Sequence, residues 1–159
     1  MWVNVTAFAL VAVIAFIESK RGFGRAMFDA VGAILSLKFA LLLAPVVAGK
    51  WGLLADPRYN LAAWHAVAFI VFAGLAVLGS KVLYDYTLLS LDVFDPILGA
   101  LFGLVSGVCA ANLLVRGLLM AYGHTPMAEM IRQTFAAQEL VKFRAYHIVL
   151  NALYGLGQW

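Results

Sequence analysis

Small residues recur at every fourth position of one apolar run. Between residues 95 and 111, Gly99, Gly103, Gly107 and Ala111 punctuate a stretch otherwise rich in Leu, Val, Ile and Phe. Residues four apart stack on one face of a helix. In lipid there is little hydrophobic drive to press helices together, so association depends on close backbone approach and dispersion, which a ridge of small side chains permits. The run therefore predicts a membrane-spanning helix with one face built for packing. A second ridge, Gly32, Ser36, Ala40 and Ala44, lies in the apolar run that begins at Ala26.

Crossing the hydrocarbon takes about 20 apolar residues in a helix. Four runs qualify, at about 2–17, 26–48, 61–80 and 96–121, so residues 1–123 are read as an all-α, four-helix membrane bundle. Apolar residues form 65% of the chain and charged ones 12%, with a mean hydropathy of +0.96, which supports a bilayer rather than water as the solvent. The first run lacks a basic leader and a small-residue cleavage site, so it reads as a retained span rather than a signal peptide. Short links favour antiparallel neighbours. The second and fourth spans open alike, Phe28-Asp29 before Gly32 and Phe94-Asp95 before Gly99, which marks them as equivalent central elements.

Basic residues concentrate in the first link as Lys20, Arg21 and Arg25, which by the positive-inside rule puts that turn in the cytoplasm and both termini outside. Arg116, Arg132, Lys142 and Arg144 pull the other way. Residues 124–159 form a different segment. Thr125 caps and Pro126 opens a helix, and Met127, Met130, Ile131, Thr134 and Phe135 then share a face. This predicts an interfacial amphipathic tail, with Tyr146, Tyr154 and Trp159 at the membrane surface.

The net charge of +3 is small and dispersed, which excludes a nucleic-acid face. Cys109 is the single cysteine, so an intrachain disulfide and a CxxC site are both excluded; it reads as a small packing residue. His65, His124 and His147 show no metal-ligand spacing, and no nucleophile elbow, P-loop or carboxylate pair stands out. The expectation is a non-enzymatic protein without cofactor or metal.

Polar residues inside the runs are then the candidates. Asp29 and Asp95 suit helix N-termini, where the dipole favours a carboxylate, or a polar vestibule in which Arg21, Arg25 or Lys81 pairs with them. Lys38 lies deep in the second span, where a charge costs about 2.5–3.5 kcal/mol on insertion scales. It reads either as part of a polar path or partner contact with Ser106 and Asn112 nearby, or as a snorkelling side chain. Asn112 reads as interhelical glue, and Asn4 and His65 as residues near span ends that reach water.

The first turn, Lys20-Arg21-Gly22-Phe23-Gly24-Arg25, combines a tight glycine reversal with an aromatic anchor and two cations. Together with Gly32 and the Asp95 to Gly107 run, it resembles the colicin V production protein family of bacterial inner-membrane proteins. That family reads Arg-Gly-Phe-x-Arg in the first turn and Asp-Arg-x-Leu-Gly-x-x-x-Gly-x-x-Arg-Gly before its fourth span. The match, over about the first 120 residues, rests on Arg21, Gly22, Phe23, Arg25 and Asp95. Asn4 replaces a family acid, and Pro96 and Ser106 replace two family arginines. The resemblance implies a four-span protein linked to colicin V export and envelope homeostasis. Two functions follow as expectations. One is a scaffold or accessory subunit that meets lipids, other membrane proteins or further copies of itself through its glycine ridges and tail. The other is a small transporter or channel-like protein with a polar path near Asp29, Lys38 and Asn112.

Overall fold

The computed structural model describes residues 2–87 and 92–142. Four long helices carry the fold: α1 (Trp2–Arg21), α2 (Phe23–Ala48), α3 (Pro57–Thr87) and α4 (Asp95–Tyr122). Two short ones follow, α5 (Pro126–Arg132) and α6 (Phe135–Lys142). All four long helices are long and apolar enough to cross a membrane. The all-α four-helix bundle expected from the sequence is what forms. The helices overrun the apolar cores that predict them, because helix geometry continues through Glu18, Lys20 and Arg21 at the end of α1. α3, with 31 residues, is about 46 Å long, against a hydrocarbon thickness of about 30 Å.

Packing order differs from chain order. α1 packs chiefly on α4, α2 on α3, and α2 and α4 meet between them, so the sequence α1–α4–α2–α3 runs across the bundle. α2 and α4 are the central elements and run in the same direction. α1 touches its chain neighbour α2 comparatively little, contrary to the expectation from their short link. The reason lies in side-chain size. α4 presents Gly99, Gly103 and Gly107 to α1, so close that an added β-carbon would fall 2.7 Å from the Glu18 carbonyl oxygen, 2.7 Å from Ala15 Cα and 2.8 Å from Val11 Cα, respectively. On the other side, a β-carbon at Gly32 would meet Ala76 Cβ at 2.5 Å. Ser36, Ala40, Ala44 and Ala111 are buried as well. Both ridges are consumed inside the bundle, which leaves neither free to grip another protein.

The end of the bundle that carries the N-terminus is closed by the tail. Thr125 caps α5 by accepting the Ala128 N–H, as its position before Pro126 predicts. The expected single amphipathic helix breaks at Gln133 and Thr134. α6 then turns back along α1 and α4, its Ala136 N–H donating to Asn4 Oδ1 at 3.0 Å and its Phe135 ring stacking on Phe8. Ile131, Ala136 and Ala137 share one core with Val3, Ala7, Ala111 and Val115. The described part of the tail thus packs on the bundle through Ile131, Ala136 and Ala137, while Met127, Met130 and Phe135 of the expected apolar face stay exposed. The reading of Tyr146, Tyr154 and Trp159 lies outside the described residues.

Candidate functional site

At the opposite end, where α1 turns into α2, the chain buries charge. α1 ends at Arg21, Gly22 adopts φ +85°, and α2 starts at Phe23. A positive φ of this kind, with ψ near 167°, suits glycine and strains other residues. The reversal brings Glu18 and Arg21 of α1 against Asp29 of α2. Arg21 Nη1 donates to Glu18 Oε1 at 2.9 Å and to Asp29 Oδ2 at 3.0 Å. Ser80 of α3 donates its hydroxyl to the other Asp29 oxygen, Oδ1. Glu18 and Asp29 are 4% and 5% exposed, so both carboxylates lie within the packed bundle.

One nitrogen therefore serves two carboxylates. Both Asp29 oxygens are occupied, whereas Glu18 Oε2 is buried and has no hydrogen-bond partner among the described residues. Beside it lies a cavity of about 160 Å³ whose walls come from all four long helices: Ile14 and Glu18, Asp29 and Ala33, Phe69, and Ser106. The cavity has room for several waters, at about 30 Å³ each. Buried polar groups are nearly always hydrogen-bonded. An unpaired carboxylate oxygen on a side chain that lines such a space can take up a proton or a small cation.

The residues that carry the family resemblance converge here. A β-carbon on Gly22 would sit 3.4 Å from Asp95 Oδ2, and the Phe23 and Phe102 rings are 5.7 Å apart. Arg21 pairs with Asp29, one of the vestibule pairings the sequence allows. Arg25, one turn before Asp29, buries its Nε without a hydrogen-bond partner among the described residues. Glu18 was not legible as a site residue, because it reads as the charged stop of a shorter first span. Its signal was the continuous face Val3, Ala7, Val11, Ala15, Glu18 and Gly22, spaced by threes and fours through the apparent stop.

The expected path of Asp29, Lys38 and Asn112 does not assemble. Lys38 is exposed on the outer face of α2 and makes no hydrogen bond or ion pair among the described residues. Ser106 lines the cavity instead and does not reach Lys38. Asn112 is buried on α4, where its amide donates to the Leu140 carbonyl near the end of α6 and its oxygen accepts from Arg116 Nε at 2.8 Å. His65, expected to reach water, is fully buried, and neither ring nitrogen has a hydrogen-bond partner among the described residues. Cys109 is buried, in keeping with a packing role. Among the described residues no cluster of three or more His, Cys, Asp or Glu could hold a metal. No family model, curated protein or solved structure matches the chain, so its geometry carries the functional reading.

Proposed function

We propose that this is a non-enzymatic, multi-pass protein of the bacterial inner membrane, similar to the colicin V production family, that moves or couples to a small monovalent cation at its charged end. One observation carries this reading: Glu18, whose Oε2 is buried and has no hydrogen-bond partner among the described residues, lines a cavity bounded by all four long helices. Ionisable groups inside a membrane are costly and usually mark ion or proton pathways. The positive-inside rule assigns this end, with Lys20, Arg21 and Arg25, to the cytoplasm and both termini to the outside. The test is reconstitution of the full chain in liposomes with imposed proton, sodium and potassium gradients. Flux of one of these ions that Glu18→Gln abolishes is the expected result. Folded wild-type protein that passes none of them would overturn the reading.

A second reading rests on Lys38. A lysine exposed on the outer face of a spanning helix, with no partner among the described residues, is better placed against another protein's carboxylate than in lipid. On this reading the chain is an accessory subunit, and the glycine ridges hold it together while its outer face meets the partner. Gentle extraction would then yield a heteromeric particle of fixed stoichiometry, which Lys38→Leu would dissociate. A homogeneous particle of this chain alone, unchanged by Lys38→Leu, would exclude it.

A further inference from the structure

We propose that the ligand of the Glu18–Asp29 site is a single proton, bound at Glu18 Oε2 and exchanged through the cavity beside it. The inference rests on the ion-coupled reading of the site and names its ion. With both carboxylates ionised, Glu18, Asp29 and Arg21 together carry one net negative charge, and the two carboxylates are buried while Arg21 is partly exposed. A buried charge is costly unless it is neutralised. Arg21 Nη1 is already committed to both acids, and Ser80 takes the remaining Asp29 oxygen. The vacancy is one oxygen wide. When a hydronium ion reaches the cavity, its proton adds to Oε2, leaving water behind. The carboxylate becomes a carboxylic acid, and the cluster becomes neutral. Release reverses the step.

A metal cation fits less well for two reasons. Hard cations take about six or more oxygens, whereas the polar side chains lining the cavity are Glu18, Asp29 and Ser106, and both Asp29 oxygens are in use. The Arg21 guanidinium also lies 2.9 Å from the other oxygen of the same Glu18 carboxylate, where it repels a second cation. A proton needs one lone pair and no coordination shell. The other charged residues at this end are Lys20 on α1, Arg25 one turn before Asp29 on α2, Lys81 and Asp85 on α3, and Asp92 and Asp95 at the approach to α4. Gly22 and the first turn of α4 keep Asp95 close to the same joint.

The deciding experiment pairs spectroscopy with flux. Infrared difference spectra of the full-length protein in lipid, recorded between acid and alkaline pH, read the C=O stretch of a protonated carboxyl directly. The expected result is a band in the wild type that is lost in Glu18→Gln and shifted in Glu18→Asp, which retains a carboxyl group. Proton flux in liposomes is lost in Glu18→Gln and kept in Lys38→Leu. Absence of the band, or its persistence in Glu18→Gln, overturns the proton. Sodium or potassium flux that needs Glu18 and continues without the band overturns the proton and keeps the transport reading. The band without flux of any ion upholds the proton and sinks transport.

Discussion

Gly103 of α4 lies against Ala15 of α1 so closely that a β-carbon on the glycine would fall 2.7 Å from the alanine Cα. The Ala15 backbone and the Glu18 β-carbon, which no rotamer change can move, occupy that space. Gly103→Ala should therefore push α1 and α4 apart and cost about 1–3 kcal/mol, the range for overpacking a tight contact. Gly74→Ala is the control, because nothing lies within 4 Å of its added β-carbon. In a helix it should be neutral or stabilise by up to about 1 kcal/mol. Unfolding of both variants in the same detergent measures the difference, and equal stability would dismiss the close-approach account.

Removing Arg21 strands two buried carboxylates on one site. Arg21→Gln should lower stability by about 3 kcal/mol, the lower part of the range for breaking a buried pair, since the Arg21 side chain is 33% exposed. A second change, Asp29→Asn, should restore part of that loss by removing one of the stranded charges. Additive effects in this double-mutant cycle would show that the two residues do not interact.

The joint between α1 and α2 depends on Gly22 at φ +85°. Gly22→Ala should cost about 1–3 kcal/mol from backbone strain. Its new β-carbon would also stand in ordinary contact with Asp95, which adds nothing further to the cost. Cysteine cross-linking across the α1–α2 end, compared with cross-linking at the tail end, should localise the disturbance to the joint.

Asn112 ties the tail to the bundle. Asn112→Leu removes the donor to the Leu140 carbonyl and the acceptor for Arg116, and should cost about 1–2 kcal/mol, as for interhelical hydrogen bonds in lipid. Amide exchange in residues 135–142 should accelerate while that of α2 stays unchanged. Uniform acceleration would mean that α6 does not unfold separately.

Lys38 faces outward from the middle of α2. If lipid surrounds it, Lys38→Leu should favour membrane insertion by about 2–3 kcal/mol, read as a higher thermal midpoint in lipid. A lower midpoint, seen only in the particle extracted from the native membrane, would show that the lysine is paired with a partner.

The sequence by itself determined the medium, the number of spans and the residues of closest packing. Length and apolarity decide whether a helix can cross a membrane, and the four-residue spacing of Gly99, Gly103 and Gly107 fixes one helical face, so these properties are local. Which helix fills that face is not local. Only the tertiary structure decided that α1, rather than α2 or another protein, lies on it, because mutual fit between surfaces distant in sequence selects the partner. The same holds for the charged site. Each of Glu18, Arg21, Asp29 and Ser80 reads separately as a helix-end charge or a minor hydroxyl. Together they form a site because the Gly22 reversal and the α2–α3 contact bring three helices to one point. The misplacements have the same cause: Lys38 and Asn112 look like neighbours by depth, but helix rotation, which depends on packing, turns one outward and the other toward α6.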